Sequence, residues 1–408
     1  MAGALTGIRV LDLSRILAGP TATQTLADLG AEVIKIERPG VGDDTRTWGP
    51  PFLKDRDGND TTDSTYFLAC NRGKKSVAVD LARPEGQALI RRLASVSDVV
   101  VENYKVGDLG RYGLDCATLR RADPRLVYCS ITGYGQTGPY RERPGYDPIA
   151  QAVGGLMSVT GEADGKPGAG PQRVGVAVVD LLTANFAVIA ILAALRHRDA
   201  TGEGQHIDMA LLDVQVASMI NVGQAYLSAG LVGRRNGNEH PSVVPSQAFR
   251  AADGMIMVAA ANNAQFVRLC EVLGRPELAR DPRYATNDAR VRNRVELAQT
   301  LQGELDHGTV ATWVERMVAA GIPAGPINDI AQVFQDPQVI ARGLRLEMEH
   351  PEAGTLPLLA NPMKLSATPP SYPLPPPMLG QHTDAVLSGL LSMSSEEVAA
   401  LRRAGVIQ

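Results

Sequence analysis

The residue best suited to chemistry in this chain is Asp180, an acid set inside the apolar run Arg173-Val-Gly-Val-Ala-Val-Val-Asp180-Leu-Leu-Thr-Ala-Asn-Phe-Ala-Val-Ile-Ala-Ile-Leu-Ala-Ala-Leu195. From Val174 to Leu195 its only polar companions are Thr183 and Asn185. A carboxylate among such side chains is costly to desolvate unless it is paired, hydrogen-bonded or used. Three readings compete. Asp180 could be an N-cap, accepting backbone N–H bonds from Leu182 or Thr183 at the start of a buried helix. The run could cross a membrane, against which stand the lack of a second such segment and the cost of an intramembrane acid. Or Asp180 could be a catalytic carboxylate at a helix N-terminus in a dry pocket, its nucleophilicity tuned by burial and backbone donors.

The other reactive types offer less. Cys70, Cys116, Cys129 and Cys270 are scattered, with no C-x-x-C pair and no Cys/His cluster at metal spacing. The histidines are equally dispersed, and His197 and His206 merely flank a Thr-Gly-Glu-Gly turn. No metal site is expected. A net charge of -4 and a pI near 5.9 leave no basic footprint, so nucleic acid is not an expected partner; neither is a membrane, for want of a second apolar segment. The first residues lack the charged-then-apolar layout of a secretory signal, which points to a cytoplasmic or matured chain. With 408 residues, 44% of them hydrophobic and 21% charged, the chain can build two folded domains.

The elements that must position Asp180 follow from hydrophobic patterning. Residues 8–13 read as a strand, 14–20 as a loop, 21–29 as a helix stopped by Gly30, and 32–37 as a second strand. Such a unit predicts a right-handed parallel crossover. Its loop, Ser14-Arg-Ile-Leu-Ala-Gly-Pro20, lacks the G-x-G-x-x-G spacing of dinucleotide folds. Residues 76–80, 98–102 and 126–131 read as further buried strands, with helices at 84–94 and 116–122 between them. This alternation predicts a doubly wound α/β core. Ligands of such sheets collect at loops after the carboxyl ends of strands, here 14–20, 38–48, 103–111 and 132–140. After the Asp180 helix come a sixth strand at 204–210 and a helix at 211–227.

Composition then shifts. The large domain is expected over 1–225, a linker or active-site loop over 226–245, a smaller α/β domain over 246–330, and a linker returning to the large domain over 331–408. The smaller domain should hold a hairpin at 246–261 around Asp253-Gly254 and helices at 264–273, 290–304 and 310–320. The tail reads as strands at 344–349 and 356–359, a Pro-rich stretch at 369–377 and a closing helix at 395–404. That Pro-rich stretch could be a rigid surface crossing or a polyproline-type ligand.

A resemblance sits on these loops. Val10-Leu-Asp-Leu-Ser-Arg-Ile-Leu-Ala-Gly-Pro20, Ala31-Glu-Val-Ile-Lys-Ile-Glu-Arg-Pro-Gly40, Gly42-Asp-Asp-Thr-Arg46, Val101-Glu-Asn-Tyr104 and Gly145-Tyr-Asp147 resemble the family III CoA-transferases, the formyl-CoA transferase-like proteins. So do Asp180, Thr201-Gly-Glu-Gly-Gln205 and Leu379-Gly-Gln-His-Thr383, all in family order. The stretches 43–51, 128–138 and 325–328 resemble its succinyl-CoA:glutarate branch in particular. The resemblance implies a Rossmann-like large domain and a smaller α/β domain joined by two linkers, threaded into an interlocked homodimer. It implies transfer of CoA from an acyl-CoA such as succinyl-CoA to a small carboxylic acid, with coenzyme A thioesters as substrates and no tightly bound cofactor.

In that family an Asp attacks the thioester, and Asp180 matches it; the helix N-terminus would keep the acid ionised and help an oxyanion. Arg15, Ile16, Leu17 and Ala18 match the lining of the CoA channel, although Arg15 departs from a His. Arg38, Asn103, Tyr104, Arg111 and Tyr134 match CoA-contacting positions; Arg38 could instead form an ion pair with Glu37 or Asp43, and Tyr104 could simply pack. Thr132 stands where formyl-CoA transferase carries a Lys. Arg46 is the candidate for gripping a distal substrate carboxylate bidentately, or it pairs with Asp43 or Asp44. His240 and Gln247 are further substrate-binding candidates. Related α-methylacyl-CoA racemases pair their Asp with a His in a Gly-His-Asp word; here the word is Gly145-Tyr146-Asp147, and a phenol is a poor base at neutral pH. A protein that only binds CoA esters is the other alternative.

Overall fold

The computed structural model describes residues 3–408 and divides into two compact units. Among the described residues the first comprises 3–156, 174–227 and 340–408, and the second 157–173 and 228–339. Residues 157–173, expected in the large domain, therefore cluster with the second unit. Gly237 N–H donates to the Gly161 carbonyl at 3.0 Å and Lys166 reaches Glu239 at 3.1 Å, contacts that a segment without hydrophobic periodicity does not advertise.

The first unit is built on six parallel strands: β1 (Arg9–Asp12), β2 (Glu32–Glu37), β3 (Lys74–Ala78), β4 (Val99–Glu102), β5 (Val127–Thr132) and β6 (His206–Ala210). Their spatial order is β3-β2-β1-β4-β5-β6. Strand order reverses between β1 and β4, where Val10 pairs with Val99. Both faces of the sheet are covered, so the strands read as continuous apolar runs. Val10, Val99, Val101 and Cys129 face one core, whereas Leu11, Val100 and Tyr128 face the other. Three helices matter for the site: α1 (Ala18–Asp28), α2 (Asp147–Val153) and α3 (Val178–Thr201). The first of them begins at Ala18 rather than at residue 21.

Long and apolar enough by composition to cross a membrane, α3 instead lays one stripe on the sheet. Val179, Ala184, Ala187, Ile191, Ala194 and Leu195 pack with Ala18, Ala22 and Leu26 of α1, which is the spacing of a core-facing helix stripe. On its other side Leu181, Phe186 and Ile189 stay 37%, 43% and 60% exposed. The expected helix at 211–227 is two helices, Leu211–Ser218 and Ile220–Ala229, broken where Ile220 takes a φ of 32°. Also in this unit, Phe52–Lys54 pairs with Asp60–Ser64, and Arg345–His350 pairs with Gly354–Leu359.

The second unit has a three-stranded antiparallel sheet, Ala324–Pro326, Gly254–Ala259 and Ser246–Ala251, whose hairpin turns at Asp253-Gly254. Helices Asn263–Val272, Arg294–Leu305 and Val310–Ala319 cover it, burying Phe249, Ile256, Phe266, Leu301 and Met317. The expected helix at 290–304 is broken at Asn293.

Candidate active site

In the first unit a cleft of about 270 Å³ opens at the carboxyl ends of β1, β4 and β5, where the strand order reverses. Open α/β sheets bind ligands at such a switch point. Seven of the anticipated residues line it: Arg15, Ile16, Leu17, Ala18, Asn103, Tyr104 and Asp180. The exits of β1 and β4 are sewn together, because Arg15 N–H donates to Asn103 Oδ1 at 2.9 Å and Asn103 Nδ2 donates to the Arg15 carbonyl at 2.7 Å. Arg15 also pairs with Asp44 at 2.8 Å and lies 5.3 Å over the Tyr104 ring. Ile16 is held at a φ of 73°, a conformation that β-branched residues seldom adopt. Its N–H donates to the Asp43 carboxylate at 3.2 Å.

Asp43 belongs to a buried charge network beneath this loop. Lys35 Nζ lies 2.8 Å from Asp43 and donates to the Ser14 carbonyl, while Lys74 Nζ lies 3.1 Å from Asp12. Burial alone would raise Asp43, but Lys35 and the Thr45 donors hold it down to about 2. Arg46 is part of the same network and is only 3% exposed. It meets both Glu37 oxygens and Asp63 at 2.8 Å, donates to the Pro377 carbonyl at 3.0 Å and stacks 3.7 Å over Phe67. Its donors are spent, so Arg46 is a structural cation and not a grip for substrate. Its partners are Glu37 and Asp63, not the expected Asp43 or Asp44, because the hairpin at 52–64 carries Asp63 to it.

Asp180 is the third residue of α3 and not its N-cap; that position is Ala177, which offers no side-chain bond. The capping oxygen comes from elsewhere. Asp147, the first residue of α2, accepts from Val179 N–H at 2.8 Å and from Asp180 N–H at 3.4 Å. The helix start therefore does not hold Asp180 ionised as expected. Burial, then the Asp147 carboxylate, push Asp180 up to about 7, with no hydrogen-bond donor offsetting them. Asp180 in turn is the largest charge acting on the half-buried Tyr66, whose phenol is raised chiefly by burial; Tyr66 meets Trp48 edge-on at 5.3 Å.

The loop that carries Asp147 is fixed by two glycines. A Cβ on Gly145 would lie 2.4 Å from Gly133 Cα, so only glycine permits the backbones to touch there. Tyr146, between Gly145 and Asp147, is 54% exposed and lines the cleft. Sequence reasoning misses Asp147, which takes the N–H groups at the start of α3, and Tyr66, which feels the Asp180 charge. The word Gly145-Tyr-Asp147 holds the available signal for Asp147, but its middle residue, which replaces the racemase His, draws the attention.

Apart from Thr132, the remaining candidates lie outside the cleft lining. Arg38 is exposed, and its possible partners Glu37 and Asp43 are committed to Arg46 and Lys35. Arg111 is exposed and pairs with Asp108 at 2.6 Å. Tyr134 packs edge-on against Tyr140 at 5.6 Å. Thr132 lines the cleft, and its hydroxyl accepts from Gly135 N–H at 2.9 Å. His240 and Gln247 belong to the second unit, His240 exposed before the hairpin and Gln247 paired in register with Val258. Among the described residues no group of three or more His, Cys, Asp or Glu side chains could hold a metal ion.

A doubly wound sheet whose switch-point cleft holds an acid without a cation partner among the described residues defines a class, and residues 5–383 match CoA-transferase family III; the chain belongs to that family and is an enzyme that transfers CoA. Among individual relatives, a succinate–glutarate CoA-transferase of Agrobacterium fabrum is 49% identical over 386 residues, 95% of each chain. Human succinyl-CoA:glutarate CoA-transferase is 46% identical over 403 residues, covering 99% of this chain and 90% of that protein. The crystal structure of a CaiB/BaiF family protein from Brucella suis superposes with a TM-score of 0.86 at 45% identity, over 96% of this chain and 100% of that one.

Proposed function

We propose that the enzyme moves CoA from succinyl-CoA to a dicarboxylate such as glutarate, hydroxymethylglutarate or malate, with Asp180 as the nucleophile. One observation carries the reading: of the three acids lining the cleft, Asp108 pairs with Arg111 and Glu142 with Arg141, while Asp180 has no cation partner among the described residues. A carboxylate kept free of cations retains its lone pairs for attack. The names of the Agrobacterium and human relatives support the choice of acids.

The chemistry closes in two exchanges. The Asp180 carboxylate attacks the thioester carbonyl and the C–S bond breaks, leaving an aspartyl-acyl anhydride and CoA thiolate. The thiolate then attacks the aspartyl carbonyl and the anhydride C–O bond breaks. The donor acid leaves as its carboxylate and Asp180 carries CoA as a thioester. An incoming carboxylate runs both exchanges in reverse.

Cations on the cleft wall suit the two anionic ends of such substrates. Arg15 and Lys105 are assigned to CoA phosphates, with Arg38, Arg111 and Tyr134 as outlying contacts beyond the lining. Arg143, stacked 3.7 Å over Tyr140 and unpaired with any acid among the described residues, replaces Arg46 as the candidate for the distal carboxylate. His240 and Gln247 remain substrate-binding candidates through the family resemblance alone. The exposed stripe Leu181, Phe186 and Ile189, with Val216, Ile220 and Leu227 also exposed, supports the homodimer that the family implies. The test is incubation with succinyl-CoA and a panel of mono- and dicarboxylates, new CoA thioesters being read by mass spectrometry. Dicarboxyl products should dominate, and Arg143→Met should erode that preference about tenfold; products of monoacids alone would refute the assignment.

A further inference from the structure

We propose that Asp147 is a positioning residue for the transfer reaction: it occupies the backbone donors at the start of α3 and fixes a second carboxylate behind the nucleophile, so that Asp180 is held uncapped and gains when it is acylated. The proposal rests on Asp180 being the nucleophile.

An acid in the first turn of a helix ordinarily profits from the free N–H groups and positive end of that helix. Here the N–H groups of Val179 and Asp180 both point at one Asp147 oxygen, at 2.8 and 3.4 Å. Asp147 cannot swing aside. Its other oxygen accepts from Gln151 Nε2 at 2.6 Å, and Gln151 Oε1 accepts from Val174 N–H at 2.9 Å, just before the helix. Asp147 is 3% and Gln151 0% exposed, and the Gly133–Gly145 contact pins the turn before them. The clamp thus ties α2, the segment entering α3 and the first turn of α3 to a single charge.

That arrangement has two chemical consequences. Like charges in a partly dry cleft repel more than in water, and both covalent states of Asp180, anhydride and thioester, are neutral. Acylation removes the repulsion, so Asp147 favours the covalent states over the free carboxylate. A more basic carboxylate is also a better nucleophile, and one that titrates near neutrality is largely ionised while keeping that advantage, as holds for attacking thiolates. Burial and Asp147 together push Asp180 up to about 7. The other charged groups around the cleft are Arg15, Lys105, Asp108, Arg141, Glu142 and Arg143, all further toward solvent or already paired. Tyr66 feels Asp180 but stays neutral, since its phenol is raised.

The experiment is the pH profile of kcat/KM for Asp147→Asn, with the fraction of enzyme carrying covalent CoA measured by intact-protein mass spectrometry. The acid limb should move down by about one pH unit or more, the alkaline plateau should fall, and less enzyme should carry CoA. Because D147N disturbs the bond to Gln151, the double variant D147N/Q151E supplies a second reading. In it the introduced amide can donate to the introduced carboxylate, Val174 N–H keeps its acceptor, and the charge moves one side chain away from Asp180. Its limb should lie between those of D147N and the wild type. A folded D147N, or a folded double variant if the single one fails to fold, whose limb stays at the wild-type pH would overturn the proposal. Wild-type enzyme that forms no covalent intermediate on Asp180 would instead break the nucleophile assignment beneath it.

Discussion

Beneath the β1 exit the buried acids are paired with cations: Asp12 with Lys74 at 3.1 Å, Asp43 with Lys35 at 2.8 Å, and Glu37 and Asp63 both with Arg46 at 2.8 Å. At the start of α3, the one charged group acting on Asp180 among the described residues is another acid, Asp147. The two regions lie at the same end of one sheet, yet Asp43 is driven down to about 2 and Asp180 up to about 7. Pairing makes a buried carboxylate inert and structural. Leaving Asp180 unpaired keeps its lone pairs available for attack, at a cost in stability that the rest of the fold must carry.

The comparison breaks most visibly through Arg46. Arg46→Met strands Glu37 and Asp63 as buried, unpaired charges, which should cost about 3–5 kcal/mol, seen as a large loss of Tm or of soluble protein. In whatever enzyme folds, the ratio of KM values for dicarboxylates and monocarboxylates should be unchanged. A selective rise for dicarboxylates would return Arg46 to the substrate site.

Asp180→Asn should do the reverse, abolishing turnover while stabilising the fold by about 1–3 kcal/mol at pH 8. The sign follows from the raised value: Asp180 costs nothing below the unfolded pKa near 3.8, and its penalty grows as pH rises to about 7. The Tm advantage of the variant should therefore be full at pH 8 and shrink toward pH 4. For Asp43, held down to about 2, the linkage is opposite; its stabilisation is present above 3.8 and fades as pH falls toward 2. An Asp180→Asn advantage that grows on acidification would contradict the contrast.

What the sequence revealed and concealed follows the same division. Strands with both faces buried announce themselves as apolar runs, so β1 to β6 were legible within a residue or two. Asp180 stood out because an acid inside such a run is costly. Its environment was not legible: the helix that carries it is capped by Asp147, 33 positions away in sequence. Arg46 looked available because Glu37 and Asp63 lie 9 and 17 positions from it, and only the hairpin at 52–64, polar and without periodicity, brings Asp63 close. The break in the helical stretch at 211–229 was hidden in the same way, since apolar periodicity runs through it. The Gly145 contact, by contrast, could have been suspected from the family word, where glycine precedes the residue that ends up lining the cleft.

As the nucleophile, Asp180 must itself become acylated during turnover. The most direct test is to incubate the enzyme with succinyl-CoA, quench with hydroxylamine and map the protein by peptide mass spectrometry. A hydroxamate on Asp180, absent without succinyl-CoA, is the expected result. Full turnover with a hydroxamate on another side chain, or on none, would contradict it.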